Sequence, residues 1–291
     1  MMSLSFKLEN KSDFVTKTDK MLHLTAAKLR LNSIGYNNTK EIINAWAGCY
    51  SLRRYEIISG NFKLDDYSVL RNFNGVNELI FRDFRTINKN FNDLQSKLPT
   101  FLKKFKSVFN DYRSLVEEDK LLTDEIIVTF RETVDINDRS VFLAFYALPL
   151  ILRQNFVYKG AKRTKLPLLM CRQSYITILA TEATLSEKLA ERRKFAIEYK
   201  TTIQPFIFAV GAINTSIESF FVAYDDILFK CQSAVEAIDL HFKIHEAFHL
   251  EYAAECEMVL KFIQIYFYGI HYDGQRDSSS VAALITDLDR L

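Results

Sequence analysis

Residues 245–249 read His-Glu-Ala-Phe-His and satisfy the HExxH pattern of zinc peptidases. In that pattern two neutral imidazoles one helical turn apart hold the metal, and the glutamate activates a metal-bound water. On this reading His245 and His249 are zinc ligands and Glu246 is the general base. Hydrolysis also needs a third ligand and an open coordination position. Where one peptidase class places a downstream Glu, residue 269 here is Gly. In the longer HExxHxxGxxH pattern, Tyr252 replaces the Gly and Glu255 stands where the third His belongs. Without that Gly the backbone does not readily make the turn that brings the third ligand round. Glu255 serves as the third ligand only if the helix breaks irregularly before it.

The element that must position these groups is a helix over 232–250. At about 100° per residue, Glu236, Asp239, Lys243 and Glu246 share one arc, read as solvated. His241, His245 and His249 lie in the middle of the opposite, apolar side with Ala237, Ile238, Phe242, Ile244 and Phe248. That placement suits ligands turned inward and equally suits histidines packed in a core. The missing third-ligand pattern favours packing, and zinc is the sole cofactor the sequence raises.

Other stretches carry weaker chemistry. "KGAKRTK" sets Lys159, Lys162, Arg163 and Lys165 in a Gly-containing loop. These four are the candidate nucleic-acid contacts, weighed against a solvated linker. "FLKKFKSVF" (101–109) and "ERRKF" (191–195) read as the wet faces of core helices. "VGAINTS" (210–216) lacks the glycine spacing and the lysine of a phosphate loop. "LKFIQIYFYGIHY" (260–272) is rich in aromatics. Phe262, Tyr266 and Phe267 form a candidate partner surface if they are not all buried.

Composition narrows the classes. In 291 residues, hydrophobic side chains make up 48 % and aromatics 13 %, which predicts a large core. Eight Gly and four Pro argue against a loop-rich barrel. A formal net charge of +2 does not of itself call for nucleic acid or a membrane. Cys49, Cys171, Cys231 and Cys256 form no CxxC pair, and the first ten residues offer no secretory pattern. The most apolar window, 141–152, is too short to span a bilayer. An intracellular protein with reduced thiols and no membrane partner is the expectation.

Periodicity predicts helices over 39–58 (Thr39 as N-cap), 86–118, 121–133 and 137–153, with 59–85 unassigned. Beyond 157–167 the pattern turns mixed. Strands are expected at 174–180, 205–210, 218–224 and 227–230, the last two joined by a tight turn at Asp225-Asp226. Helices follow at 184–200, 232–250 and 253–268. The expected fold class is α+β: a helical region over 1–156, then a small mixed-sheet module over 157–291 closed by two C-terminal helices.

"DINDRSVFLAFYALPLILRQ", "QPFIFAVG", "SIESFFVAYDDILFKCQSAVEAIDLHFKIHEAFHLEYAAECE", "LKFIQIYFYGI" and "SSSVAALITDLDRL" follow one another between residues 121 and 288. In order and spacing this region resembles the C-terminal part of sterile alpha motif domain-containing protein 3-like proteins of fish and arthropods, some found near mobile elements. The resemblance implies no catalytic residue roles. It implies an aromatic residue and an Asn at the positions of His245 and His249, so the HExxH departs from that pattern. The first 60 residues do not match a sterile alpha motif. The sequence reading is therefore an intracellular interaction or regulatory protein whose partner is another protein. A zinc peptidase is the alternative, and a nucleic-acid-associated regulator the weaker one.

Overall fold

A computed structural model describes residues 18–111, 128, 137–152, 156–159, 162–165, 167–199, 203–213, 216–275 and 278–291. The fold is α+β, with a helical N-terminal half, a small mixed sheet and C-terminal helices. The expected helix at 121–133 and the polar first residues lie outside the description, Val128 excepted. The chain divides into two compact units. One comprises 1–89, 243–250 and 272–275, and the other comprises 90–242, 251–271 and 276–291. The division expected at 156 is therefore not where contacts divide: helices between 90 and 156 belong with the sheet.

The first unit contains α1 (Thr18–Ser33), α2 (Thr39–Gly48), α3 (Tyr50–Ile58), α4 (Val69–Asn72) and α5 (Val76–Ile87). Asn38, not Thr39, caps α2, its Oδ1 accepting from the Glu41 N–H at 3.3 Å. The single helix expected over 39–58 is broken at Cys49. The reason is a buried cation. Arg53 is fully buried, and its Nη1 donates to the Trp46 carbonyl at 2.6 Å and the Cys49 Sγ at 2.9 Å. A side-chain donor thus competes for a carbonyl the helix would otherwise use. The same guanidinium stacks 3.5 Å from the Trp46 ring centroid and pairs with Asp83 at 2.7–3.1 Å. The Trp46 indole N–H donates to Asp83 at 3.0 Å, which completes a buried network.

The second unit is built on a four-stranded sheet of order β3-β4-β5-β6. Its strands are β3 (Ile176–Leu179), β4 (Phe206–Gly211), β5 (Ile217–Tyr224) and β6 (Ile227–Cys231). β3 and β4 are parallel, and a helix at Leu185–Tyr199 lies between them in the chain, as a parallel connection requires. The other pairs are antiparallel. β5 and β6 meet at the expected two-residue turn, with Asp225 in the left-handed region (φ 55°). Gly211 (φ 133°) closes a bulge where a Cβ would collide with the Ser216 carbonyl oxygen.

Both sheet faces are covered, so β4 is buried along nearly its whole length. Phe206, Phe208 and Val210 join Leu185, Leu189, Phe221 and Ala223 in one cluster. Phe220 meets Phe142 of the helix Asp138–Ile151 at 5.9 Å. That helix opens with a reciprocal Asn137–Ser140 capping box. "SYITILA" was expected to be extended throughout, yet Ser174 and Tyr175 end a short helix, Leu168–Tyr175, and only 176–179 are strand. Of the helix expected at 86–118, residues 86–87 end α5, a separate helix runs over Leu94–Asp111 with residues 88–93 between them, and 112–118 lie outside the described residues. The C-terminal part holds three helical segments rather than two. These are Ala234–Ala247, Glu257–Phe262 continuing as a π-turn over Ile263–Phe267, and Ser279–Arg290.

Candidate functional site

No residue of the helix Ala234–Ala247 is exposed, so the polar arc expected to be solvated is instead paired. At the amino end Asp138 Oδ1 accepts from the Ala234 N–H at 2.8 Å, and Glu236 accepts from the Gln232 N–H at 2.6 Å. Asp239 accepts from the Tyr268 hydroxyl at 2.5 Å. Lys243, only 6 % exposed, holds its Nζ 3.9 Å from the Phe81 ring centroid. Glu246 is half-buried and accepts from the Tyr272 hydroxyl. Burial, then the Glu246 charge, pushes the Tyr272 pKa well above the phenol range.

The helix ends inside the HEAFH motif. Its last helical residue is Ala247, and His249 adopts the left-handed region (φ 54°). The His249 N–H donates to the Glu246 carbonyl at 3.3 Å and the Leu250 N–H to the His245 carbonyl at 2.9 Å. These are the two bonds of a Schellman cap, with histidine at the position glycine usually takes. Phe248, 3 % exposed, anchors the cap against the Phe62 ring at 5.2 Å. The two motif histidines therefore differ in setting: His245 is 1 % exposed, whereas His249 is exposed beyond the end of the helix. Although exposed by area, His249 has its pKa lowered, first by partial desolvation and then by the positive Arg54.

Glu255, the expected third ligand, lies in the loop before Glu257–Phe262 and is half-buried. Its charge acts on Arg192, whose pKa burial lowers and Glu255 raises. Among the described residues, no group of three or more His, Cys, Asp or Glu side chains is placed to hold a metal. His241, in the second unit, is fully buried with Nε2 2.8 Å from the Pro205 carbonyl. Desolvation drives its pKa down to about 4, with the Pro205 bond opposing. It is a neutral core histidine facing Tyr175 at 5.5 Å.

Two of the three residues of the candidate partner surface are core. Phe262 and Phe267 are fully buried and Tyr266 is half-buried. All three surround Phe101, at 5.9, 5.0 and 5.9 Å for Phe262, Phe267 and Tyr266 respectively, and Phe145 closes on Phe267 at 5.3 Å. The aromatic run is explained by filling that space. Phe101, Phe105 and Phe109 are buried, whereas of the lysines between them Lys103 is exposed and Lys104 and Lys106 are half-buried. All four cysteines are free and buried, and desolvation raises the thiol pKa values of Cys49, Cys231 and Cys256, the last to about 12.

The basic loop takes a definite form. Residues Phe156–Lys159 and Lys162–Lys165 are the strands β1 and β2 of an antiparallel hairpin, so Lys159, Lys162, Arg163 and Lys165 are strand residues. Sequence reasoning missed the Arg53–Asp83–Trp46 network. Its signal was present, because Trp46, Cys49 and Arg53 recur at i, i+3, i+7 and put a cation on an apolar stripe. The Tyr272–Glu246 bond had no sequence signal, since it joins residues 26 apart. No family model, curated protein or solved structure matches the chain. Among the described residues, no helix is long and apolar enough to cross a membrane.

Proposed function

We propose that this chain is a non-enzymatic intracellular interaction and regulatory protein that acts on another protein through its surface. The observation that carries this reading is the structural use of HEAFH. His249 caps the helix, Glu246 holds Tyr272, and Phe248 anchors the cap. A peptidase needs Glu246 free to take a proton from water and both imidazoles on successive turns of one regular helix. Residues engaged in ending a helix serve that chemistry poorly.

The test is metal content and peptide hydrolysis by the purified chain, with His245→Ala as control. The binding reading expects no stoichiometric zinc and no hydrolysis of mixed peptides. One zinc per chain, lost in His245→Ala together with hydrolysis, overturns it in favour of a zinc peptidase using His245, His249, Glu246 and Glu255.

A further inference from the structure

We propose that the edge strand β6, together with the cavity at its carboxyl end, docks an extended, arginine-bearing segment of a partner protein. Every residue involved lies in the second unit. Strands β3, β4 and β6 run in one direction, so their carboxyl ends meet along one rim of the sheet. That rim is where sheets with parallel strands commonly hold ligands. A cavity of about 430 Å³ opens there. Val210 and Ser219, cross-strand neighbours on β4 and β5, line it beside Lys230 and Gln232 from the end of β6. Glu182, in the connection that leaves β3, and Glu218 add two carboxylates.

Three features point to one occupant. The first is charge. Glu182 Oε1 accepts from the Ser219 hydroxyl at 2.8 Å and lies 3.9 Å from Lys230 Nζ. The exposed Glu218 carboxylate has no partner among the described residues. At the other end of β6 the turn residues Asp225 and Asp226 are exposed as well. Four carboxylates and one ammonium thus border a strand of five residues, in a chain whose overall charge is +2. The second feature is the edge itself. The two-residue turn fixes which residues exchange main-chain bonds: Tyr224 with Ile227, Val222 with Phe229 and Phe220 with Cys231. Leu228 and Lys230 therefore turn their N–H and C=O groups away from β5. Among the described residues no other strand pairs with β6, and nothing bonds to those groups. A peptide laid along this edge gains main-chain bonds and lowers a side chain into the adjoining cavity. The third feature is the acceptor set. Glu182, Glu218 and the Gln232 amide oxygen are separate acceptors on one cavity wall. A guanidinium carries five N–H donors in a planar fork and is more weakly hydrated than an ammonium, so it serves several acceptors at lower cost. A second copy of this chain would set the same four acids against one another, so a basic partner is the better match.

The inference rests on the reading of the chain as a protein that binds a protein. It fails separately, because zinc content and peptide hydrolysis decide that reading and neither enters this test. The measurement is fluorescence anisotropy of a labelled peptide of threonine and valine with arginine at every fourth position, titrated with the full chain. Three further peptides serve as comparators: glutamine for arginine, lysine for arginine, and the arginine peptide with every backbone amide N-methylated. The arginine peptide should bind about tenfold tighter than the glutamine peptide and about threefold tighter than the lysine peptide, and added salt should weaken it. Glu182→Gln with Glu218→Gln should weaken it about tenfold. Leu228→Pro removes an outward N–H and spares the ladder to β5, so it should weaken binding with the circular dichroism of the fold retained. The N-methylated peptide asks the same question without altering the protein and should bind about tenfold more weakly. The proposal is overturned if the arginine peptide does not bind at low salt, or if the glutamine or N-methylated peptide binds as tightly. Unchanged affinity in Glu182→Gln with Glu218→Gln overturns it as well. So does displacement of the peptide by an equal concentration of arginine amide, since the site would then take a free cation.

Discussion

His241 and His249 illustrate how differently two histidines on one helical line can be used. His241 is buried neutral against the Pro205 carbonyl, with its pKa near 4 rather than 6.5. The native state therefore resists a proton that the unfolded chain accepts. The stability this histidine contributes is fully present above about pH 6.5 and is lost as pH falls toward 4. The loss should approach roughly 3 kcal/mol across that window. Urea denaturation followed by far-UV circular dichroism between pH 4 and 7 measures it. His241→Gln should flatten the slope over that range, and an unchanged slope in the variant contradicts the assignment. The helical wheel placed His241 inward and was sufficient for that. It did not reveal that His249 leaves the helix, because a wheel assumes regular geometry to the last residue and contains no term for a cap formed without glycine.

At the scale of elements, the features set by local rules were legible and those set by distant partners were not. Strands β4, β5 and β6 and the Asp225-Asp226 turn follow from β-branched and aromatic runs bounded by turn residues. The break at Cys49 depends on Arg53 finding Asp83, thirty positions away, and periodicity carries no information about that pairing. The solvated arc of the helix Ala234–Ala247 was misread for the same reason. Charged side chains that find ring, hydroxyl or backbone partners can be drawn out of solvent because those partners offset part of the desolvation cost. The Arg53–Asp83 pair makes the point measurable. Asp83→Ala leaves a buried guanidinium uncompensated and should cost about 3–5 kcal/mol, read by urea denaturation through the fluorescence of Trp46, the chain's single tryptophan. Replacing both partners, Arg53→Met with Asp83→Leu, should recover most of that loss. A double variant as unstable as Asp83→Ala would show that the network, not the buried charge, sets the cost.

For the whole molecule, the α+β class was legible because helical and strand periodicities occupy different parts of the chain. The unit boundaries were not, since 243–250 and 272–275 group with residues 1–89 by contact rather than by sequence order. The functional reading turns on the same point. HEAFH in sequence is a metal motif, and in the fold it ends the helix Ala234–Ala247, within the stretch 243–250 that groups with the first unit. The most direct test is the denaturation midpoint of the full chain and of His249→Gly, each with and without excess zinc. A Schellman cap predicts that glycine relieves the left-handed backbone and stabilises by roughly 0.5–1 kcal/mol, with zinc shifting neither midpoint. A zinc-dependent rise in the unsubstituted chain that disappears in His249→Gly would contradict the account.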